Sequence, residues 1–186
     1  MKIIKTTLSL SSMLVLVLLL TACDGNDNGS DPTSNADDFQ LEVSGDFQTT
    51  ASGFADFDGM SSFGVNTWEI SMNDNNPQSL SLQLMLTSSS SDVSRPSPGT
   101  YEIGFEPNSA AVFTAIYTHI PEGDFMASEE YSTLSEGYGG TLTITSSSEN
   151  RVEGSFNFSV AKTDDNFNVT GEIEVIGEFT ASKRMN

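Results

Sequence analysis

Few side chains in this chain could carry catalytic or metal-binding chemistry, and those few stand apart from one another. His119 is the only histidine among 186 residues. A serine–histidine–acid triad needs one, but no Gly-x-Ser-x-Gly turn accompanies it. A single imidazole also makes no histidine-rich metal site. It precedes Pro121-Glu122-Gly123, so a place at a strand end is expected. Ser159-Val160-Ala161-Lys162 fits the Ser-x-x-Lys pattern of an acylating serine. That pattern works on one side of a helical turn. On a strand, positions three apart point to opposite faces, which leaves Ser159 wet and Lys162 on the core side or at the turn. Glu129-Glu130 offers two carboxylates, as glycoside hydrolysis requires. Neighbours on a strand diverge, so a working pair would have to be assembled across strands.

Two acidic runs invite a cation. Asp24-x-Asn26-x-Asn28-Gly29 matches the first half of a calcium loop, but Asn35 stands where the bidentate glutamate belongs. An acidic spacer explains the run better. Asp56-Phe57-Asp58-Gly59 has hairpin-turn chemistry in its Asp-Gly step, and nothing specifies further oxygen ligands. The sequence therefore assigns no catalytic residue, no metal ligand and no cofactor, and the chain is expected not to be an enzyme.

The first 23 residues are more informative. Lys2 and Lys5 form a basic start, an apolar run follows, densest from Met13 to Leu20, and Leu20-Thr21-Ala22-Cys23 ends it. This is the layout of an export signal with a small-residue cleavage site. It resembles the bacterial lipoprotein signal, which is cut before the cysteine of a Leu-x-Ala-Cys lipobox. The resemblance implies a signal peptide over 1–22 and lipidation of Cys23, with diacylglycerol on its thiol and a third acyl chain on its amino group. Each buried methylene contributes about 0.8 kcal/mol, so several chains anchor stably without a span. The expected partner is a membrane, reached through the lipid anchor, and the expected place is a bacterial envelope, inner or outer membrane left open. Cys23 is also the only cysteine, so no disulfide can form within the chain.

Residues 23–37 are acidic and lack large apolar side chains, the composition of a disordered tether. As a flexible coil it has a root-mean-square span of about 20 Å. The formal net charge of −19 becomes −21 once Lys2 and Lys5 leave with the signal. Such a surface repels nucleic acid and favours solubility. Residues 38–186 are enough for one domain with a real core.

That domain reads as antiparallel β-structure. Phe167, Val169, Gly171, Ile173, Val175, Gly177, Phe179 and Ala181 alternate with polar residues, broken only by Ile176. This is strand with one dry face, and Gly171 and Gly177 are expected to mark a bulge, bend or break. Val152, Phe156, Phe158 and Val160 alternate likewise, as do Leu142 and Ile144. Polar turns at Thr163–Asn166 and Ser146–Asn150 join the three into a meander. Upstream, Phe39, Leu41, Val43 and Phe47 share one parity; Trp68, Ile70 and Met72 share a face; Leu80, Leu82, Leu84 and Leu86 share another. From Val112 to Ile120 both faces are apolar, which suggests a central strand covered on both sides. Nine or ten strands and no amphipathic helix predict an all-β fold, either a sandwich or an up-and-down, lipocalin-like barrel.

Gly99-Thr100-Tyr101-Glu102-Ile103-Gly104, Gly140-Thr141-Leu142-Thr143-Ile144-Thr145 and Arg151-Val152-Glu153-Gly154-Ser155-Phe156-Asn157-Phe158-Ser159-Val160 resemble strand and turn signatures of uncharacterised bacterial lipoproteins with a lipobox, an acidic tether and a C-terminal β-meander. The resemblance covers residues 99–181. It implies an all-β fold, and it brings no activity and no site residues.

The expectation for function is a membrane-anchored, non-enzymatic β-domain that binds an unidentified protein or small molecule or supports the envelope. A lipocalin-like carrier of a small apolar ligand is the alternative, and a hydrolase assembled across strands comes third. Trp68, Tyr117, Tyr131 and Tyr138 are the expected ligand-contacting cluster.

Overall fold

The structure is a computed structural model and describes residues 38–74, 78–106 and 109–185. Within them run ten strands: β1 (Phe39–Gly45), β2 (Thr49–Ser62), β3 (Val65–Asn73), β4 (Leu80–Ser88), β5 (Gly99–Ile103), β6 (Val112–His119), β7 (Glu129–Ser132), β8 (Gly139–Ser147), β9 (Arg151–Thr163) and β10 (Val169–Lys183). Two 3-10 turns, Pro121–Gly123 and Phe125–Ala127, link β6 to β7. Among the described residues no helix is long and apolar enough to cross a membrane.

The fold is all-β, and its hydrogen-bonded pairs close on themselves. Going round, β1 pairs β2, β2 pairs β3, β3 pairs β4, and β4 pairs β6. Then β6 meets β5, β5 meets β8, β8 meets β9, β9 meets β10, and β10 returns to β1. Closure of this kind makes a barrel and removes the free edges that a sandwich leaves. The ring is not a pure up-and-down meander. β5 lies beyond β6 and runs parallel to it, through Glu102↔Val112 and Ile103↔Phe113. Past the end of β5 the gap between β6 and β9 is filled by β7, which pairs Tyr117↔Tyr131 on one side and Ser132↔Ala161 on the other.

Alternation decides what lies inside. Phe39, Leu41, Val43, Trp68, Ile70, Met72, Leu80, Leu82, Leu84, Leu86, Leu142, Ile144, Val152, Phe156, Phe158, Val160, Ile173, Val175 and Phe179 are all buried in one cluster. The C-terminal meander has the predicted order, β8–β9–β10. Each large apolar side chain hidden this way contributes about 1.5–3 kcal/mol. Ring pairs such as Phe57–Trp68 at 5.7 Å and Phe156–Phe179 at 6.3 Å tie neighbouring strands across the interior.

Several expectations need correction. Gly171 does adjoin an irregularity, where the β9–β10 register shifts between Val169 and Gly171. Gly177 marks no break, because β10 runs unbroken through it. A Cβ there would stand 2.6 Å from Cζ of Phe156 and 2.6 Å from the Gln40 carbonyl, so the missing side chain makes room for a ring from the neighbouring strand. Asp58-Gly59 is not the hairpin turn. The register Asp58↔Glu69 and Gly59↔Trp68 carries β2 and β3 onward to Ser62↔Val65. The turn is Phe63-Gly64, with φ of 51° and 81°. Two left-handed residues suit a two-residue hairpin, although phenylalanine is an unusual occupant of the first place. Nor is β6 covered on both sides: Phe113, Ala115 and Tyr117 face the core, while Thr114, Ile116 and Thr118 are only half-buried on the outer wall.

Candidate binding site at one barrel end

The inner face changes character at one end of the barrel. On β6 the inward positions Phe113, Ala115 and Tyr117 are followed by His119. On β9, Phe158 and Val160 are followed by Lys162. On β7 the inward Tyr131 has Glu129 two residues before it. The register then brings these together, with Tyr117 opposite Tyr131, His119 opposite Glu129, and Ser132 opposite Ala161. Three strands that carry apolar side chains along the interior thus end in an imidazole, an ammonium and a carboxylate.

Phe47, from the short link between β1 and β2, folds over this end. Its ring stacks on His119 at 4.3 Å with 24° between planes. It also lies 6.2 Å from the Tyr117 ring and 5.9 Å from the Tyr131 ring. Phe47 therefore closes the mouth over both tyrosines. Lys162 turns inward beside it, with Nζ 2.9 Å from Oε1 of Glu129 and 5.5 Å from the centroid of Tyr131. A cation over an aromatic face is attracted by the ring quadrupole.

Electrostatics follow from this packing. The hydrogen bond from Lys162 holds the Glu129 carboxyl below its ordinary range, against a smaller desolvation effect. The same bond raises the Lys162 ammonium. Burial raises the Tyr131 phenol, with Glu129 and Asp46 adding to the rise and Lys162 opposing it. Tyr117 is the extreme case. Its side chain is 0% exposed, and its hydroxyl has no hydrogen-bond partner. Burial drives its pKa far up, and the charges of Asp74 and Tyr131 push the same way. Asp74 itself is held by the amides of Ser79 and Leu80, each 2.8 Å from Oδ1. A buried hydroxyl left unpaired costs about 1–3 kcal/mol.

The opposite end carries no such debt. Ser88 is fully buried there, and its Oγ accepts from the amides of Ser90 and Ser91 at 3.2 and 3.1 Å. Tyr101 donates to the Ser97 carbonyl at 2.6 Å, and Ser147 donates to the Pro96 carbonyl at 2.7 Å. The 89–98 loop, which spans the place of β6 in the ring on its way to β5, packs Val93 against the core.

Of the four aromatics expected to contact a ligand, the structure brings together Tyr117 and Tyr131 only. Trp68 lies in the core wall between Phe57 and Phe113, at 5.7 and 6.3 Å. Tyr138 sits on the outer surface before β8, with its hydroxyl 3.1 Å from Glu172. The four are chosen as large aromatics, and alternation assigns a strand face only to Trp68 and Tyr117. It could not show that Tyr138 belongs to a turn or that Trp68 lies away from the mouth. Phe47, Lys162 and Glu129 were missed as a group. The available signal was parity, since His119, Lys162 and Glu129 each stand two places from a buried, inward-facing residue of their strand.

The remaining candidates fall elsewhere. Ser159 and Lys162 point to opposite faces, and the Ser159 hydroxyl is 3.5 Å from the Gly139 carbonyl. Glu129 faces inward and Glu130 outward, where it is exposed. Asp56 is held by Arg184, at 2.5 Å, and Arg184 also reaches Glu69 at 3.1 Å. Among the described residues no group of three or more His, Cys, Asp or Glu is placed to hold a metal ion. Cys23 and the Asp24–Asn35 run lie outside the described residues. The open hollows are on the outer wall. One of about 640 Å³ lies over β1, β2 and β10 beside Ile176 and Glu178, and another of about 690 Å³ lies beside Gly104 and Leu134.

No protein-family model, curated protein or solved structure matches this chain.

Proposed function

We propose that this chain is an envelope lipoprotein whose barrel is a non-enzymatic binding domain, tethered to a membrane through lipidated Cys23 and taking its ligand at the mouth closed by Phe47. One observation carries the binding reading: the Tyr117 hydroxyl is wholly buried at that mouth and unpaired. A polar group is kept out of water at a cost where a small shift of one half-buried ring, Phe47, would open a route to it. The anchor is supported by the lipobox-like Leu20-Thr21-Ala22-Cys23 and by the acidic run behind it.

A lipocalin-like carrier of an apolar ligand is the second reading, favoured by closure of the ring of strands. The interior filled by rings of Phe113, Phe156, Phe158 and Tyr117 weighs against it, because such a carrier needs a cavity of about 300–1,000 Å³. A hydrolase is weaker still: among the described residues no serine or carboxylate hydrogen-bonds His119, so the imidazole has no orienting partner.

Native mass spectrometry of the full chain purified from its host envelope tests the reading. A small molecule or protein that travels with the wild type and is lost from Tyr117→Phe supports it. A partner retained by that variant places binding elsewhere. Radiolabelled palmitate tests the anchor, and failure to label Cys23 removes it.

A further inference from the structure

The mouth has a chemical preference that can be read from its walls. Four aromatic faces converge there: Phe47, Tyr117, His119 and Tyr131. The acidic groups that act on the two phenols are Asp46, Asp74 and Glu129, and the one fixed cation is Lys162. Glu129 is spent on Lys162 and Asp74 bonds its own loop, but the balance of charge stays negative. An anion would meet Asp46 and Asp74 with only a paired lysine to offset them. A cation meets π-faces, carboxylates and a neutral phenol oxygen free to accept a hydrogen bond.

The chain demonstrates the preference on itself. The Lys162 ammonium lies 5.5 Å from the Tyr131 centroid while its side chain stays 29% exposed. Resting on the mouth reading above, we propose that the site binds a small quaternary ammonium ion, seated against the ring faces of Phe47 and Tyr131 with the Tyr117 hydroxyl oxygen in close electrostatic contact with its charge. Phe47 swings out to admit it. The unpaired hydroxyl is the observation that separates this mouth from an ordinary solvated rim.

Choline and its uncharged isostere 3,3-dimethylbutan-1-ol test the proposal. Each is titrated into the full chain in maltoside micelles, with the ring signals of labelled Tyr and Phe followed by NMR. Choline is expected to shift Tyr117, Tyr131 and Phe47 saturably, about tenfold more tightly than the alcohol. Tyr117→Phe is expected to weaken choline about fivefold. Equal binding of the alcohol overturns the ammonium preference and leaves the mouth as a binding site. Choline binding that Tyr117→Phe does not change overturns the placement. If neither compound moves the rings, the ammonium class fails. A drop in the melting temperature of Tyr117→Phe would then remove the mouth reading as well, since it would show the hydroxyl to be partnered in the folded protein.

Discussion

Removing a buried oxygen from the mouth of this barrel should make it more stable. In Tyr117→Phe the ring keeps its contacts with Phe47 and its neighbours, and only the hydroxyl goes. That hydroxyl is buried and unpaired in the folded chain, whereas in the unfolded chain water satisfies it. The penalty of about 1–3 kcal/mol for an unpaired buried group is therefore relieved. Part of the gain is offset, because Phe leaves a small void where the oxygen stood. A net stabilisation of about 1 kcal/mol remains. For a domain of this size it raises Tm by about 2–4 °C. The effect grows at high pH. Tyr117 titrates above its ordinary value in the folded state, so the folded chain keeps a proton that the unfolded chain loses above about pH 10. Stability contributed by the neutral phenol is complete below pH 10 and falls above it, by up to about 1.4 kcal/mol per pH unit. Tyr117→Phe has no such proton, so its alkaline slope is shallower by that amount. Urea melts at pH 7 and pH 11 measure both effects. Trp68 fluorescence is the probe, since it is the only tryptophan and is buried in the core. A variant less stable than wild type at pH 7 would refute the reasoning, and so would an unchanged alkaline slope.

Three further outcomes follow from the same contacts. Gly177→Ala should cost about 2–3 kcal/mol in urea unfolding, since its Cβ meets the Gln40 carbonyl and the Phe156 ring at 2.6 Å with backbone on one side. Arg184→Met removes the clamp on Asp56 and Glu69. The guanidinium side chain is 39% exposed, so the loss is only about 0.5–1 kcal/mol, seen best as faster amide exchange where β10 meets β2. Lys162→Met should let the Glu129 carboxyl rise toward its ordinary range, as followed by carboxyl ¹³C shifts. In the wild type the Glu129 contribution is present above about pH 4.3 and is lost as pH falls through its lower folded value. An unmoved carboxyl would show that Lys162 is not its partner in solution.

The parts of this fold that were legible in the sequence are those where one physical rule acts alone. β8, β9 and β10 alternate because one face is dry and one is wet, and their order came out as expected, but Phe167, counted at the head of the dry series, stands exposed in the turn at φ 62° and β10 begins at Val169. The Asp58-Gly59 reading failed because two rules competed. Composition favours a turn there, but the inward series Ala55, Phe57 and Gly59 continues opposite Met72, Ile70 and Trp68. Pairing with β3 outweighs the local preference, and the chain turns at Phe63-Gly64 instead. The place of β5 was illegible for another reason. Its inward residues Tyr101 and Ile103 would look the same in any slot of the ring, and only the span of the 89–98 loop selects one. At the mouth, Tyr117 and Tyr131 could be chosen from size and aromatic character. Their partners could not, because nothing local says that Phe47 folds over His119 or that Ser132 meets Ala161.

The two barrel ends offer an internal control on the meaning of the mouth. Both must stop an apolar interior against water. At the end closed by the 89–98 loop, the buried Ser88 and the partly exposed Tyr101 both find partners within the chain, as polar groups in a purely structural seal do. At the other end the Tyr117 hydroxyl stands unpaired among polar side chains. Asp46 lies on the same link as Phe47, and Lys162 and Glu129, paired with each other, stand beside Tyr131. A seal selected only for stability would use one of them for the Tyr117 hydroxyl, or would carry Phe at 117. Lys162 also behaves unlike a rim lysine, which extends its head into water; it bends back over Tyr131 instead. A buried group left unsatisfied under a single stacked ring is the arrangement expected when a site is kept ready for something the chain itself does not supply.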